Sequence, residues 1–282
     1  MMRSLWTAAS GMIAQQTNLD TVANNLSNVN TAGYKKDSVE FKSLLYQNLQ
    51  SKSTNNAAEN KPVPAQVGLG TRAASITTVF SQGNLQSTDN STFMAIEGNG
   101  FYKVKDGDGN VSYTRDGSFT TQPVEGGIML CTAEGYPVLD QYDQTIVIPD
   151  GCAVDGFMVD QDGMLSVMKD PKKKTFDPLT KELNGQEYQQ QIGLVQFNNP
   201  AGLNSVGGNL YQVTVASGNA MEESTTETLV KSKVHQNYLE MSNVQVADEM
   251  VNMIVAQRAY EMNSKAIQAT DEMLQQANNL RS

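Results

Sequence analysis

At 282 residues and 30.7 kDa the chain is long for one hydrophobic core and suits two or three smaller units. Thirty acidic against twenty basic side chains leave a formal charge of −10 and a pI near 4.6, so most faces repel a nucleic-acid backbone, and neither DNA nor RNA is expected as a partner. One histidine and two cysteines are too few for the zinc centres and acid–base triads that recruit several such residues, so no metal centre is expected. Paired carboxylates are recognised by three-dimensional separation rather than by spacing, and nothing in the sequence points to them, to a cofactor or to another catalytic residue.

Chain order begins with Leu5, Met12, Leu19 and Leu26 at spacing seven, with Ala9 and Ala23 widening the stripe and Gln16 interrupting it. This predicts an amphipathic helix of about 27 residues whose narrow apolar face needs a partner helix. Asn24, Asn25, Asn28, Asn30 and Gly33 crowd its end, where Asn and Gly conformations terminate helices. The first nine residues resemble a signal peptide only faintly, because Ser10 and Gly11 break the apolar run and no cleavage site follows; export without cleavage is expected. The helical region is placed at residues 1–34.

Residues 35–70 read as an extended arm or linker, with 47–66 polar, poor in aromatics and closed by Pro62-Val63-Pro64. Residues 71–237 read as a mainly β domain, with short apolar runs punctuated at hairpin spacing. The expected turns are Ser81–Asn84, Glu97–Gly100, Lys105–Asn110, Arg115–Ser118 and Gln161–Gly163, and the clearest expected strands are Ile146–Ile148 and Gln191–Phe197. Asp106-Gly107-Asp108-Gly109-Asn110 opens like a calcium loop but has Val111 and Gly117 where Gly and a bidentate Glu are needed, so a tight turn is expected. Gly98-Asn99-Gly100 lacks the third glycine of a dinucleotide cradle. Cys131 and Cys152 read as buried small side chains that an oxidising compartment could bridge, and Lys172-Lys173-Lys174 as a solvated loop.

Leu239, Val246, Met253, Tyr260, Ile267 and Leu274 are consecutive apolar residues at spacing seven, with Met250 and Ile254 broadening the stripe. No Pro or Gly follows residue 219, which permits a helix of roughly 40 residues, about 60 Å long, within 238–282. The fold class is therefore mixed: long N- and C-terminal α-helices forming a coiled coil, with a mainly β middle domain. Two amphipathic helices folded onto an ordinary domain would meet the same pattern. The longest apolar runs are four residues, far short of the ~18–20 of a membrane helix, so no transmembrane segment is expected. His235 has no accompanying nucleophile motif.

Residues 23–36, Ala-Asn-Asn-Leu-Ser-Asn-Val-Asn-Thr-Ala-Gly-Tyr-Lys-Lys, closely resemble the N-terminal signature of the rod and hook proteins of the bacterial flagellum. Residues 242–250, followed by Gln257-Arg258-Ala259-Tyr260-Glu261-Met262-Asn263-Ser264-Lys265-Ala266-Ile267, resemble the C-terminal signature of the same family. Ser81–Leu85, Ala95–Tyr102 and Tyr113–Phe119 are similar to its internal motifs, and the Ser-Leu-Trp start and the arm point to the distal-rod branch. The resemblance implies a non-enzymatic subunit that self-assembles into a helical hollow shaft carrying torque from motor to hook. The alternatives are a proximal-rod or hook subunit and, from other classes, a cell-envelope enzyme or binding module.

The implied partners are further copies of the chain, the proximal rod and hook proteins, envelope bushing rings where an outer membrane exists, and the flagellar type III export apparatus. The implied place is the basal body, crossing the cell envelope. The expected assembly interface comprises Leu5, Met12, Leu19, Leu26, Asn24, Asn25, Asn28, Leu239, Val246, Met253, Tyr260, Ile267, Leu274, Gln257 and Arg258.

Overall fold

A computed structural model describes residues 2–50, 65–107, 109–149, 157–168, 176–183, 186–226 and 229–279. Its chain divides into two units, one made of residues 1–27, 37–78 and 245–282 and the other of residues 28–36 and 79–244. The readings of the lysine run, of Cys152, of Asp108 and of 51–64 in the arm lie outside the described residues.

In the first unit the N-terminal periodicity is realised as α1 (Met2–Ser27, 26 residues) and the C-terminal one as α2 (Val246–Asn279, 34 residues). Asp248 and Glu249 occupy the first turn of α2, where carboxylates favour the positive end of the helix dipole. The helices pack along one another. Gly11 of α1 meets α2 so closely that a Cβ there would lie 2.8 Å from the Asn263 amide nitrogen.

In the rest of this unit both described flanks of the arm are strands. Asp37–Ser43 pairs antiparallel with Thr71–Thr78, with a bulge between Glu40 and Phe41, and Tyr46–Gln50 pairs with Ala65–Gly68. The two stretches form one antiparallel ribbon, joined by the Leu44 N–H to Gly70 carbonyl bond of 2.9 Å. The β-branched and aromatic residues Val39, Phe41, Thr71, Ile76 and Thr77 favour such pairing, and composition at the polar centre of the arm concealed it. The ribbon lies against α1. Gly70 has φ +115° and faces Ser10 and Thr7, a conformation and an approach that a side chain would oppose.

The second unit is the β domain. Its largest sheet is antiparallel, in the order Asn204–Gly207, Leu210–Gln212, Val111–Thr114, Phe101–Lys105, Leu194–Gln196, Met221–Glu222. Thr120–Val124, Gly127–Cys131 and Val147–Pro149 form a three-stranded sheet, and Phe157–Val159, Leu165–Val167 and Asp177–Pro178 another. One core collects Met94, Ile96, Tyr102, Phe119, Leu130, Ile146, Ile148, Leu165 and Val234, all buried. A second cluster stacks Phe101, Tyr113, Phe197 and Tyr211 edge to face with Phe80.

Two expected turns are hairpins. Gly109 (φ +84°) closes the turn between Phe101–Lys105 and Val111–Thr114, where its N–H bonds the Asp106 carbonyl, and Gly163 (φ +77°) closes the turn after Phe157–Val159. The other three are not, because the strands flanking each do not pair with one another: Leu85–Ser87 pairs with Tyr238–Glu240, Met94–Glu97 with Lys233–Gln236, and Thr120–Val124 with Gly127–Cys131. Their glycines serve close approach instead. A Cβ on Gly117 would strike the Met94 carbonyl oxygen, and one on Gly83 that of Met241. Cys131 is buried as a free thiol.

Buried apolar side chains are divided unequally. Among the described residues, those of the first unit are Ala8, Ala14, Val22 and Ala256, whereas every large one belongs to the β domain. Local opening free energy follows buried apolar contact. Amides within α1 and α2 of the free chain should therefore exchange with solvent at least tenfold faster than those of Met94–Glu97 and Phe101–Lys105, as mass spectrometry of exchanged fragments would show.

Candidate assembly surface

The site expected from sequence lies mostly on the two helices. On α1, Leu5, Met12, Leu19 and Leu26 do share one half-buried face, but their companions are Ala8 and Val22, both buried, with Gln15 between them. Ala23, expected to widen the stripe, is exposed. Companions three residues on, rather than four, complete the seam, because the side that carries Ser10, Ala14, Thr21 and Asn25 is turned to the ribbon.

On α2, Met253 and Ile267 are half-buried while Val246, Tyr260 and Leu274 are exposed. Leu239 is not helical. It belongs to the strand Tyr238–Glu240 opposite Gln86, because backbone pairing with Leu85–Ser87 continues to Glu240 and the helix begins only at Val246. Met250 and Ile254 do not widen the inner face either; both are exposed. The second inner row is Glu249, Ala256, Asn263 and Thr270, again at spacing seven, of which Glu249, Ala256 and Thr270 are buried. Reasoning from apolar residues alone missed this row because it is small or polar. Alternating three- and four-residue steps from Met253 would have found it.

The asparagines differ in role. Asn25 is buried and its amide spans one residue of the ribbon, donating to the Asp37 carbonyl at 2.8 Å and accepting from the Asp37 N–H at 2.9 Å. Asn28 accepts from the Thr31 hydroxyl and N–H in the turn that ends α1, and Asn24 is exposed. Gln257 and Arg258 are exposed, Arg258 pairing with Glu261 at 2.9 Å along the helix.

The outward faces are the more informative ones. Met250, Val251, Ile254, Val255 and Met262 lie on the side of α2 opposite the inner rows, all at least half exposed. Trp6 and Ile13 on α1 are 75% and 68% exposed, and on the ribbon Leu45 and Tyr46 are 83% and 62% exposed. Apolar clusters this exposed, on helices that otherwise present residues such as Gln257, Arg258, Glu261 and Lys265, mark an interaction surface. Among the described residues no group of three His, Cys, Asp or Glu could hold a metal, and no helix is long and apolar enough to cross a membrane.

Three sequence profiles match in register with this architecture: "Flagella basal body rod protein" over residues 5–35, "Flagellar hook protein FlgE/F/G D1 domain" over 95–167 and "Flagellar basal body rod FlgEFG protein C-terminal" over 235–280. The flagellar basal-body rod protein FlgG of Borreliella burgdorferi is 46% identical over 283 aligned positions, covering all of this chain and 99% of its own length. That of Bacillus subtilis is 37% identical with full coverage of both chains. The chain belongs to the flagellar basal-body rod protein FlgG family. A second Bacillus subtilis protein, the flagellar hook-basal body complex protein FlhP, is 31% identical over the full length of both chains. Members of the rod family are structural components of the flagellum, which agrees with a surface built of apolar helix faces.

The Asn25 amide ties the end of α1 to the start of the ribbon. Replacing it by alanine strands two backbone groups of Asp37, at a cost of about 1–3 kcal/mol. Asn25→Ala should raise amide exchange along Asp37–Ser43 and Thr71–Thr78 while leaving Phe101–Lys105 unchanged.

Proposed function

We propose that the chain is the distal-rod subunit, whose copies assemble head to tail into a hollow helical shaft that transmits torque from motor to hook. Head-to-tail contacts whose rotation does not close generate such an open helix. In this reading α1 and α2 form a coiled coil in the inner layer and the β domain lies outside. Leu5, Met12, Leu19, Leu26, Met253, Ile267 and the row from Glu249 to Thr270 make the seam within one subunit. The proximal rod, the hook, the envelope rings and the export apparatus are its other partners, and export proceeds without cleavage through the envelope.

One observation carries the proposal: α2 exposes the apolar cluster Met250, Val251, Ile254, Val255 and Met262, while the buried apolar side chains of the unit that contains it are three alanines and a valine among the described residues. Neighbouring subunits would supply the missing interior. Ile254→Asp tests this apart from folding. Ile254 is 54% exposed, so the substitution should change monomer stability by no more than about 0.5 kcal/mol. In the assembly it would bury an unpaired carboxylate at a cost of several kcal/mol. Tubes in electron micrographs of the purified protein, and motility restored to a strain lacking its rod protein, should both be lost. Normal rods from Ile254→Asp would overturn the reading.

The distal assignment also gives the arm the task of keeping the shaft straight, through one more interface per subunit repeated along its length. Deleting residues 51–64 should leave the unfolding midpoint of the β domain in place and yield curved rods in isolated basal bodies. Straight rods would favour the proximal-rod alternative.

A further inference from the structure

The chain passes between its two units four times, at 27/28, 36/37, 78/79 and 244/245. Every such passage begins or ends in one of three segments of the β-domain unit, residues 28–36, 79–84 and 240–244, and these three are bonded to one another. The Gly33 N–H donates to the Glu240 carbonyl at 2.8 Å, the Met241 N–H to the Asn84 carbonyl at 2.9 Å, and the Val79 N–H to the Lys36 carbonyl at 2.9 Å. Asn243 completes the lacing with both ends of its amide. It accepts from the Lys36 N–H at 2.8 Å and donates to the Val79 carbonyl at 2.8 Å, with the Ser81 hydroxyl 2.9 Å away.

A buried ionic cluster lies at the centre. The Glu240 carboxylate, 1% exposed, pairs with Lys35 through one oxygen and with Arg115 at 3.2 Å through the other, and also accepts from the Gly83 N–H at 2.8 Å. Lys35 donates in addition to the Ser81 carbonyl, and Arg115 to the Gly98 carbonyl at 2.6 Å while lying over the Phe101 ring. Two buried cations thus share one carboxylate, and burial pushes both below their ordinary pKa values against the pull of Glu240. Such a cluster is weak evidence for stability, since apolar residues of the same volume often do as well. Its value lies in geometry: one side chain, Glu240, fixes segments that are about 160 and 205 residues away in sequence.

We propose that Glu240 and Asn243 make these three segments a single fastener that opens as one unit, so that load entering from the helices and the ribbon is shared by all four passages instead of peeling one segment at a time. The sharing of load rests on the rod reading; the cooperative opening does not.

Hydrogen exchange of the purified full chain tests the fastener by itself. The amides of Gly33, Lys36, Val79, Gly83 and Met241 should open with one common equilibrium constant, and Asn243→Ala should lower their protection together, by at least tenfold at all five. Ser81→Ala, which removes one acceptor of Asn243 at an exposed position, should shift the same five by a smaller common factor and serves if Asn243→Ala does not fold. Loss of protection confined to Lys36, the amide that bonds Asn243 directly, would overturn the proposal.

Load is read in a strain lacking its rod protein. Cells rescued by Ser81→Ala should swim like wild type in dilute medium and lose at least half their relative speed in viscous medium. Val159→Ala, a small deletion in the β-domain core, should show no such load dependence. Equal losses for the two variants would reject load sharing while leaving the exchange result standing. Failure of the unmodified chain to restore swimming would count against the rod reading alone.

Discussion

Apolar surface that cannot be buried within one chain is the constraint on which the rest of the structure depends. The helices meet through half-buried Leu5, Met12, Leu19, Leu26, Met253 and Ile267 interspersed with small and polar residues, with Gly11 against Asn263 and Ala256 buried. Small residues bring the helix axes close but remove little apolar area from water, and buried area is what stabilises a packed pair. A second set of large side chains, Met250, Val251, Ile254, Val255, Trp6 and Ile13, is exposed. A chain arranged this way keeps its strongest apolar attraction for other molecules. That suits a subunit whose helices acquire a complete interior only when surrounded by copies.

The β domain is built on the opposite principle. Its core holds fully buried Phe, Leu, Ile, Val and Met side chains on several sheets, and most of its buried polar groups find partners nearby. Lys103 reaches Asp143 and Glu222, and Glu223 accepts from Ser232 and Gln196. Neither group needs a ligand to be satisfied. A domain that satisfies itself can be stable before assembly, and the helices can then respond to the presence of neighbours without endangering it. The bonds around Glu240 and Asn243 stand at the root of this arrangement, where the connecting segments leave the stable part of the molecule.

Membership in the rod family was legible because two short signatures, near Asn24–Lys36 and Ser242–Lys265, are specific in their order of residues. The structure adds a physical reason for several of their members. Asn25 spans Asp37, Gly33 sits at φ +68° against the backbone of Arg115 and Asp116, Lys35 is buried on Glu240, and Asn243 laces two segments. None of these roles concerns the helix seam with which the asparagines were grouped, since a local reading of Asn near a helix end returns only termination.

The sequence by itself determined what depends on neighbours along the chain. Periodicity placed both helices, glycine punctuation placed the hairpins at Gly109 and Gly163, and apolar runs marked the middle as β. Tertiary structure alone decided what depends on partners distant in sequence. Leu239 kept the seven-residue spacing of a helix yet became a strand, because Leu85–Ser87 offered a ladder of backbone bonds. The polar flanks of the arm became a ribbon because each supplied the other's hydrogen bonds. The second row of the α2 seam is small or polar, so apolar residues alone do not mark it, and the approach of Gly11 to Asn263 shows that this side of the helix faces α1. Burial is a property of what stands opposite a residue, and a linear pattern carries no record of that.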